Sequence, residues 1–258
     1  SKARSRQPSL GVTDQLSDAL AQLTMDVQEA FPVRNDESGS AWSVMGTGQH
    51  KRLAKLIGST EWATGRKGIT ADLNGVYFVR ILDSKPGLVE IESRPEAGKK
   101  DIGPAKRAWV ENEMIYPLIK GASDFDACYV KIDDPNYKGE PLFTFVPNRT
   151  ITPKDYASLE ADMASPRLQR TSKWFAGYKD LLLNRSTYRR QMPDAPYYSV
   201  YNVGDYTMKP WKVIFPEMGK VKAAVVGSRE VPGYGFRPVV PDHKIYFAAF
   251  DSRDEAMF

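Results

Sequence analysis

The sequence predicts an α+β fold, with two antiparallel strand-rich blocks around a helical segment. Three observations predict it. In the last third, β-branched and aromatic runs are separated by Pro and Gly at about ten-residue spacing, as in an antiparallel sheet. In the middle, residues 76–82 and 88–93 read as a hairpin across the turn-forming DSKPG of residues 83–87. Between these blocks, residues 153–186 carry apolar side chains at helical spacing.

In chain order, Leu16, Leu20, Leu23, Val27 and Phe31 recur every three or four positions, which predicts a helix over residues 13–31. Thr13 or Asp14 suits its cap, and Pro32 ends it. Residues 49–58 read as a short basic helix stopped by Gly58. Residues 108–118 start as a strand or a helix carrying Glu111 and Glu113, and Pro117 and Gly121 break it. Both glutamates are expected to face solvent. Residues 127–132 and 141–146 read as a second strand pair, with Cys128 a small buried strand residue. Ser165-Pro166 predicts a break in the helical zone, and a helix over residues 173–185 follows. Strands are expected at 197–203, 211–215, 221–227 and 243–250. Residues 254–258 read as the opening of a helix. The expected organisation is an N-terminal helical or linker segment, 1–60, and a larger region, 61–258, with possible subdomains 61–150 and 151–258.

A chain of 258 residues can bury a sizeable core. No apolar run approaches the length of a membrane span, and residues 1–9 are polar and basic, unlike a secretory signal. A cytoplasmic protein without membrane partners is expected. The single Cys128 can form no internal disulfide. The two histidines, His50 and His243, lie far apart, and no metal cluster is expected. Lys and Arg number 36 against 32 Asp and Glu, a net charge of +4. That total names no partner, but the distribution is uneven. Arg66-Lys67, Lys99-Lys100, Lys106-Arg107, residues 167–173 and residues 185–190 are basic clusters of the kind that suits a phosphate backbone.

Catalytic patterns are absent. There is no Walker loop and no Gly-x-Ser-x-Gly elbow. Pro193-Asp194 and Pro241-Asp242 lack the acidic-x-Lys partner of a metal-dependent nuclease. An adenine methyltransferase needs a Gly-rich cofactor turn and an Asn/Asp/Ser-Pro-Pro-aromatic loop to hold the flipped base. The nearest match, Asp134-Pro135-Asn136-Tyr137, lacks the second proline and reads as a turn. The chain is therefore not expected to be an enzyme by itself.

Binding chemistry remains. The run TGRKGITADLNG, residues 64–75, is a polar loop whose glycines let backbone approach a ligand. Arg66 and Lys67 suit guanine edges or phosphates, and Asn74 suits an adenine; Thr64 and Thr70 complete that candidate set. The second set is Lys173, Arg185, Tyr188, Arg189 and Arg190, where Arg and Tyr mix at a helix end. Tyr197, Tyr198, Tyr201 and Tyr206 suit half-buried packing on a sheet, or stacking on bases.

Four segments together resemble one family. They are GITADLNGVYFV (68–79), VENEMIYPLIKG (110–121) with Asp124, WFAGYKDLLLNRSTYRR (174–190), and PYYSVYNVG (196–204) continuing through KPWKV (209–213), VPDHKIYF (240–247) and DEA (254–256). The set resembles the C-terminal specificity region of large adenine-specific DNA methyltransferases, often fused to a nuclease in bifunctional restriction enzymes. Coverage runs from about Trp62 to the end; each motif is short and loose, and their order carries the resemblance. It implies double-stranded DNA as partner and a covalently linked methyltransferase domain, which would hold S-adenosylmethionine, so that this chain itself needs no cofactor. It also implies a chain that continues past Phe258. The competing expectation is a protein-binding or inhibitory module with no DNA role.

Overall fold

The computed structural model describes residues 17, 27–33, 38–53, 62–134 and 136–258. The chain divides into two compact units, Ser1–Glu61 and Trp62–Phe258. In the first, β1 (Gln28–Pro32) pairs antiparallel with β2 (Trp42–Gly46), and a short helix, α1 (Gln49–Leu53), follows. The His50 ring stacks on Phe31 with centroids 4.1 Å apart. The helix expected over 13–31 is therefore a strand from Gln28 onward, because residues 42–46 provide a hydrogen-bonding partner that periodicity does not reveal. Most of that expected helix, and the end of the one expected over 49–58, lie outside the described residues.

The second unit is α+β, as predicted. It opens with β3 (Arg66–Lys67), one helical turn α2 (Asn74–Tyr77), and the hairpin β4 (Phe78–Lys85) and β5 (Leu88–Ser93). Gly87 takes φ 76°, a left-handed conformation that glycine adopts without strain, so the turn shrinks to Pro86-Gly87 and the strand runs through the expected loop. Then come β6 (Arg107–Glu111), β7 (Ile115–Ile119), the small hairpin β8 (Phe125–Asp126) and β9 (Tyr129–Val130), and β10 (Leu142–Phe145).

Four helices follow: α3 (Tyr156–Ala164), α4 (Gln169–Ala176), α5 (Lys179–Leu183) and α6 (Ser186–Gln191). Ser165 turns extended before Pro166 and ends α3, as expected. The helix expected over 173–185 is instead divided at Gly177-Tyr178 and ends before Arg185, which is extended and precedes α6. A short α7 (Asp205–Met208) leads to β11 (Trp211–Pro216), β12 (Ala224–Val226), the hairpin β13 (Arg229–Val231) and β14 (Gly235–Arg237), then β15 (Val240–Pro241) and β16 (Ile245–Phe250). The final helix, α8 (Arg253–Met257), starts at a capping box between Ser252 and Glu255.

The larger sheet has the order β15-β7-β10-β4-β5-β6, and the smaller β12-β11-β16-β3. The two sheets exchange strands: β15, from late in the chain, runs parallel to β7, and β3, from the start of the unit, pairs with β16. They do not divide at residue 150. Helices cover the larger sheet and bury Trp174, Phe175, Tyr178 and Leu182 against residues such as Tyr77, Phe78 and Phe145. A large apolar side chain buried in this way stabilises the fold by about 1.5–3 kcal/mol. The smaller sheet has its own core around Ile214, Ile245 and Phe247.

Several expectations change. Pro117 does not break the chain but sits inside β7 opposite Phe143. Proline is tolerated there because β15 reaches only Leu118 and Ile119 on the other flank, so no ladder bond from residue 117 is needed. Residues 141–146 pair with β4 and β7 rather than with 127–132. Cys128 is exposed in a turn with φ 69°, not buried in a strand. Residues 197–203 form no strand; Tyr201 makes an isolated bridge to Thr70. Of the four tyrosines, Tyr198 is buried and Tyr197, Tyr201 and Tyr206 are partly buried. No helix of the described residues is long and apolar enough to cross a membrane.

Candidate nucleic-acid interface

The 64–75 run is not a free loop. Ile69, Ala71 and Leu73 are buried, and Ile69 and Thr70 donate backbone bonds to Pro241 and Tyr201 (both 2.9 Å). Gly68 admits backbone rather than ligand: a Cβ there would lie 2.3 Å from the Asp242 carbonyl oxygen and 2.4 Å from that of Pro241. Thr64 and Arg66 are exposed, and the Arg66 guanidinium lies 5.0 Å over the Tyr206 ring. Lys67 pairs with Glu217, and that hydrogen bond raises its pKa. Thr70 Oγ1 accepts a bond from Asn202 Nδ2, and Asn74 opens α2, partly buried.

The second candidate set splits by burial. Arg185 is only 3% exposed, and its guanidinium donates to the carbonyls of Leu182 (3.0 Å), Ala71 (3.0 Å) and Tyr197 (2.6 Å). Tyr188 is buried and donates to the Ala195 carbonyl at 2.7 Å. Both side chains are consumed inside the fold, which corrects their assignment to a DNA surface. Lys173, Arg189 and Arg190 remain exposed. The two candidate segments do meet: besides Arg185 on Ala71, Thr187 N donates to Asp72 Oδ2 at 2.6 Å.

The structure also joins two basic clusters that sequence reading kept apart. Lys106 and Arg107 at the start of β6, and Arg170 and Lys173 on α4, line one cleft of about 760 Å³. Its construction starts with a carboxylate. Glu111, at the end of β6, is buried rather than solvent-facing, and it accepts bonds from Arg170 N (3.1 Å), Thr171 N (2.8 Å) and Thr171 Oγ1 (2.8 Å). A negative group at the first turn satisfies orphan N–H groups and complements the helix dipole, so β6 holds α4 by its N-terminus. The other side of α4 packs inward through Phe175 and Trp174, which lie 5.0 and 6.2 Å from the Phe145 ring. That leaves Arg170 and Lys173 outward on the helix.

No carboxylate lines this cleft. One of its cations rests on an aromatic ring: Lys106 Nζ lies 4.7 Å from the Tyr178 ring centroid; outside the lining, Lys85 Nζ lies 4.0 Å from that of Trp109. Arg107, largely exposed, pairs with Glu92 at 2.8 Å. Beyond Arg167 lies a second cleft of about 690 Å³ with mixed charge, including Glu113, Asp155 and Asp162. Glu113 is paired with Arg167.

Sequence reading named Lys173 but missed Lys106, Arg107 and Arg170 as site residues. The signal was present as two basic runs, but nothing local shows that Glu111 brings them together. Among the described residues, no group of His, Cys, Asp and Glu is arranged to hold a metal ion. Asp134 accepts hydrogen bonds from Tyr137 N at 2.9 Å and from Asn136 N at 2.8 Å. No family model matches the chain, and no curated protein matches it.

Proposed function

We propose that this chain binds double-stranded DNA and supplies target recognition to an adenine-specific DNA methyltransferase or restriction–modification enzyme. In this reading the chain performs no chemistry. A covalently linked cytoplasmic catalytic domain holds S-adenosylmethionine and receives the flipped adenine.

The observation that carries the DNA reading is the cleft between β6 and α4. Four cations from two distant segments line it, with no carboxylate among them. Lys and Arg so placed suit consecutive phosphates, and the Tyr178 ring beneath Lys106 keeps that side chain oriented. The resemblance of four ordered segments to the specificity region supports the narrower assignment. Arg66, Arg189 and Arg190 are exposed cations available for further phosphate contacts.

The test is duplex binding by fluorescence anisotropy at several salt concentrations, for the wild type and the double variant Lys106→Ala/Lys173→Ala. Each phosphate contact contributes about 0.9 to the slope of log K against log salt. The double variant should lose about two units of slope magnitude. Binding insensitive to salt, or equal in both proteins, would refute the reading and favour a protein-binding module.

A further inference from the structure

The hairpin β13–β14 is held unusually firmly for an element that turns aromatic side chains to solvent. Its inner face carries buried Val231 and Arg237. The Arg237 guanidinium lies between the Tyr116 and Tyr234 rings, 4.3 and 3.7 Å from their centroids, and donates to the Ile115 carbonyl at 2.9 Å. Asn112 Nδ2 donates to the Gly233 carbonyl at 2.8 Å, and Arg229 pairs with Asp133 at 2.8 Å. At the turn, a Cβ on Gly233 would lie 2.9 Å from the Lys85 carbonyl oxygen, so the hairpin tip rests directly on the β4–β5 turn.

Its outer face is different. Phe236 is 75% exposed and stands directly across from exposed Glu230, while Tyr234 is 49% exposed. Phe236 and Tyr234 thus present two exposed aromatic rings on one firmly held hairpin. What adjoins it is the basic cleft. Lys85, beneath the hairpin tip, reaches over Trp109, a wall of that cleft, and Tyr234 lines the second cleft, where Arg167 lies among Glu113, Asp155 and Asp162.

We propose that β13–β14 is the base-contacting element of the DNA surface, with Phe236 and Tyr234 meeting bases while the β6–α4 cleft holds phosphates. The inference rests on the DNA reading above. A two-stranded ribbon fits the major groove, where a Phe side chain makes apolar contact with the thymine methyl. The outer face offers Glu230 and Phe236 and no cation, so it is unsuited to phosphate. A carboxylate there can accept from a cytosine amino group. Lys85 beneath the tip and the uncharged Phe236 ring on the outer face suit a polyanion that presents base edges in its groove.

The experiment is anisotropy titration of duplex DNA against salt for the wild type, Phe236→Ala, Phe236→Trp and Lys106→Ala, with thermal melts as a folding control. Phe236→Ala should melt like the wild type, bind about tenfold more weakly and keep the wild-type salt slope, because an apolar base contact releases no counterion. Phe236→Trp should restore binding, and Lys106→Ala should lose slope. If Phe236→Ala binds like the wild type while Lys106→Ala weakens, the hairpin assignment falls and the DNA reading stands. If Phe236→Ala loses slope together with affinity, the assignment falls as well. If the wild type binds no duplex even at low salt, both fall.

Discussion

Replacing Lys212 with Met should stabilise this protein. Lys212 lies on β11 with 0% exposure, and its Nζ donates to the Lys209 carbonyl at 2.6 Å. No carboxylate pairs with it among the described ion pairs, and burial pushes its pKa from 10.5 down to about 7. The unfolded chain keeps the ordinary lysine value. Between about pH 7 and 10.5 the unfolded state therefore binds a proton that the folded state does not, and stability rises with pH through that window. A depression of this size corresponds to roughly 5 kcal/mol between the two ends. At pH 7 nearly all of that penalty is present. Met fills a similar volume without the charge, and leaving the Lys209 carbonyl without its donor costs about 1 kcal/mol. The net expectation is a gain of about 3 kcal/mol at pH 7, or about 6–12 °C in Tm for a unit of this size. Urea unfolding at pH 7, 8 and 9 measures it. The wild type should gain stability relative to Lys212→Met as pH rises. A variant less stable than the wild type at pH 7, or parallel pH profiles, would refute the assignment of Lys212 as a buried, unpaired amine.

Two further outcomes concern residues that the structure moves from binding to architecture. Arg185→Ala should lose about 3–5 kcal/mol in urea unfolding, because three carbonyls lose a buried charged donor, whereas Arg189→Ala on the exposed side of α6 should change stability by less than about 0.5 kcal/mol. Gly68→Ala should lower the melting temperature sharply, since its Cβ would overlap the Pro241 and Asp242 carbonyls; a variant melting within about 2 °C of the wild type would contradict the close approach.

The resemblance to a methyltransferase specificity region and the basic cleft are independent supports for the same reading. One is carried by short ordered motifs, the other by cations whose convergence no motif encodes. They overlap at Trp174, Ala176, Gly177 and Tyr178, which line the cleft, and at Glu111, which holds α4.

What the sequence determined by itself is local. The β4–β5 hairpin follows from alternating side chains and a Pro-Gly turn, the end of α3 from Ser165-Pro166, and α8 from Ser252 and Glu255 three residues apart. Each rests on interactions within a few residues, where sterics and hydrogen bonding act without the rest of the chain. Arg185 and Arg189 are the same residue type one helical turn apart. One is buried because the Ala71 carbonyl, 114 positions away, and the Tyr197 carbonyl meet its guanidinium; the other has no such acceptors and faces solvent. The basic cleft exists because Glu111 reaches the first turn of α4 across 60 positions, and Pro117 is tolerated because β15 is two residues long. Those outcomes belonged to the tertiary structure, since burial and hydrogen-bond partnership are set by what folds against a residue rather than by its neighbours in the chain.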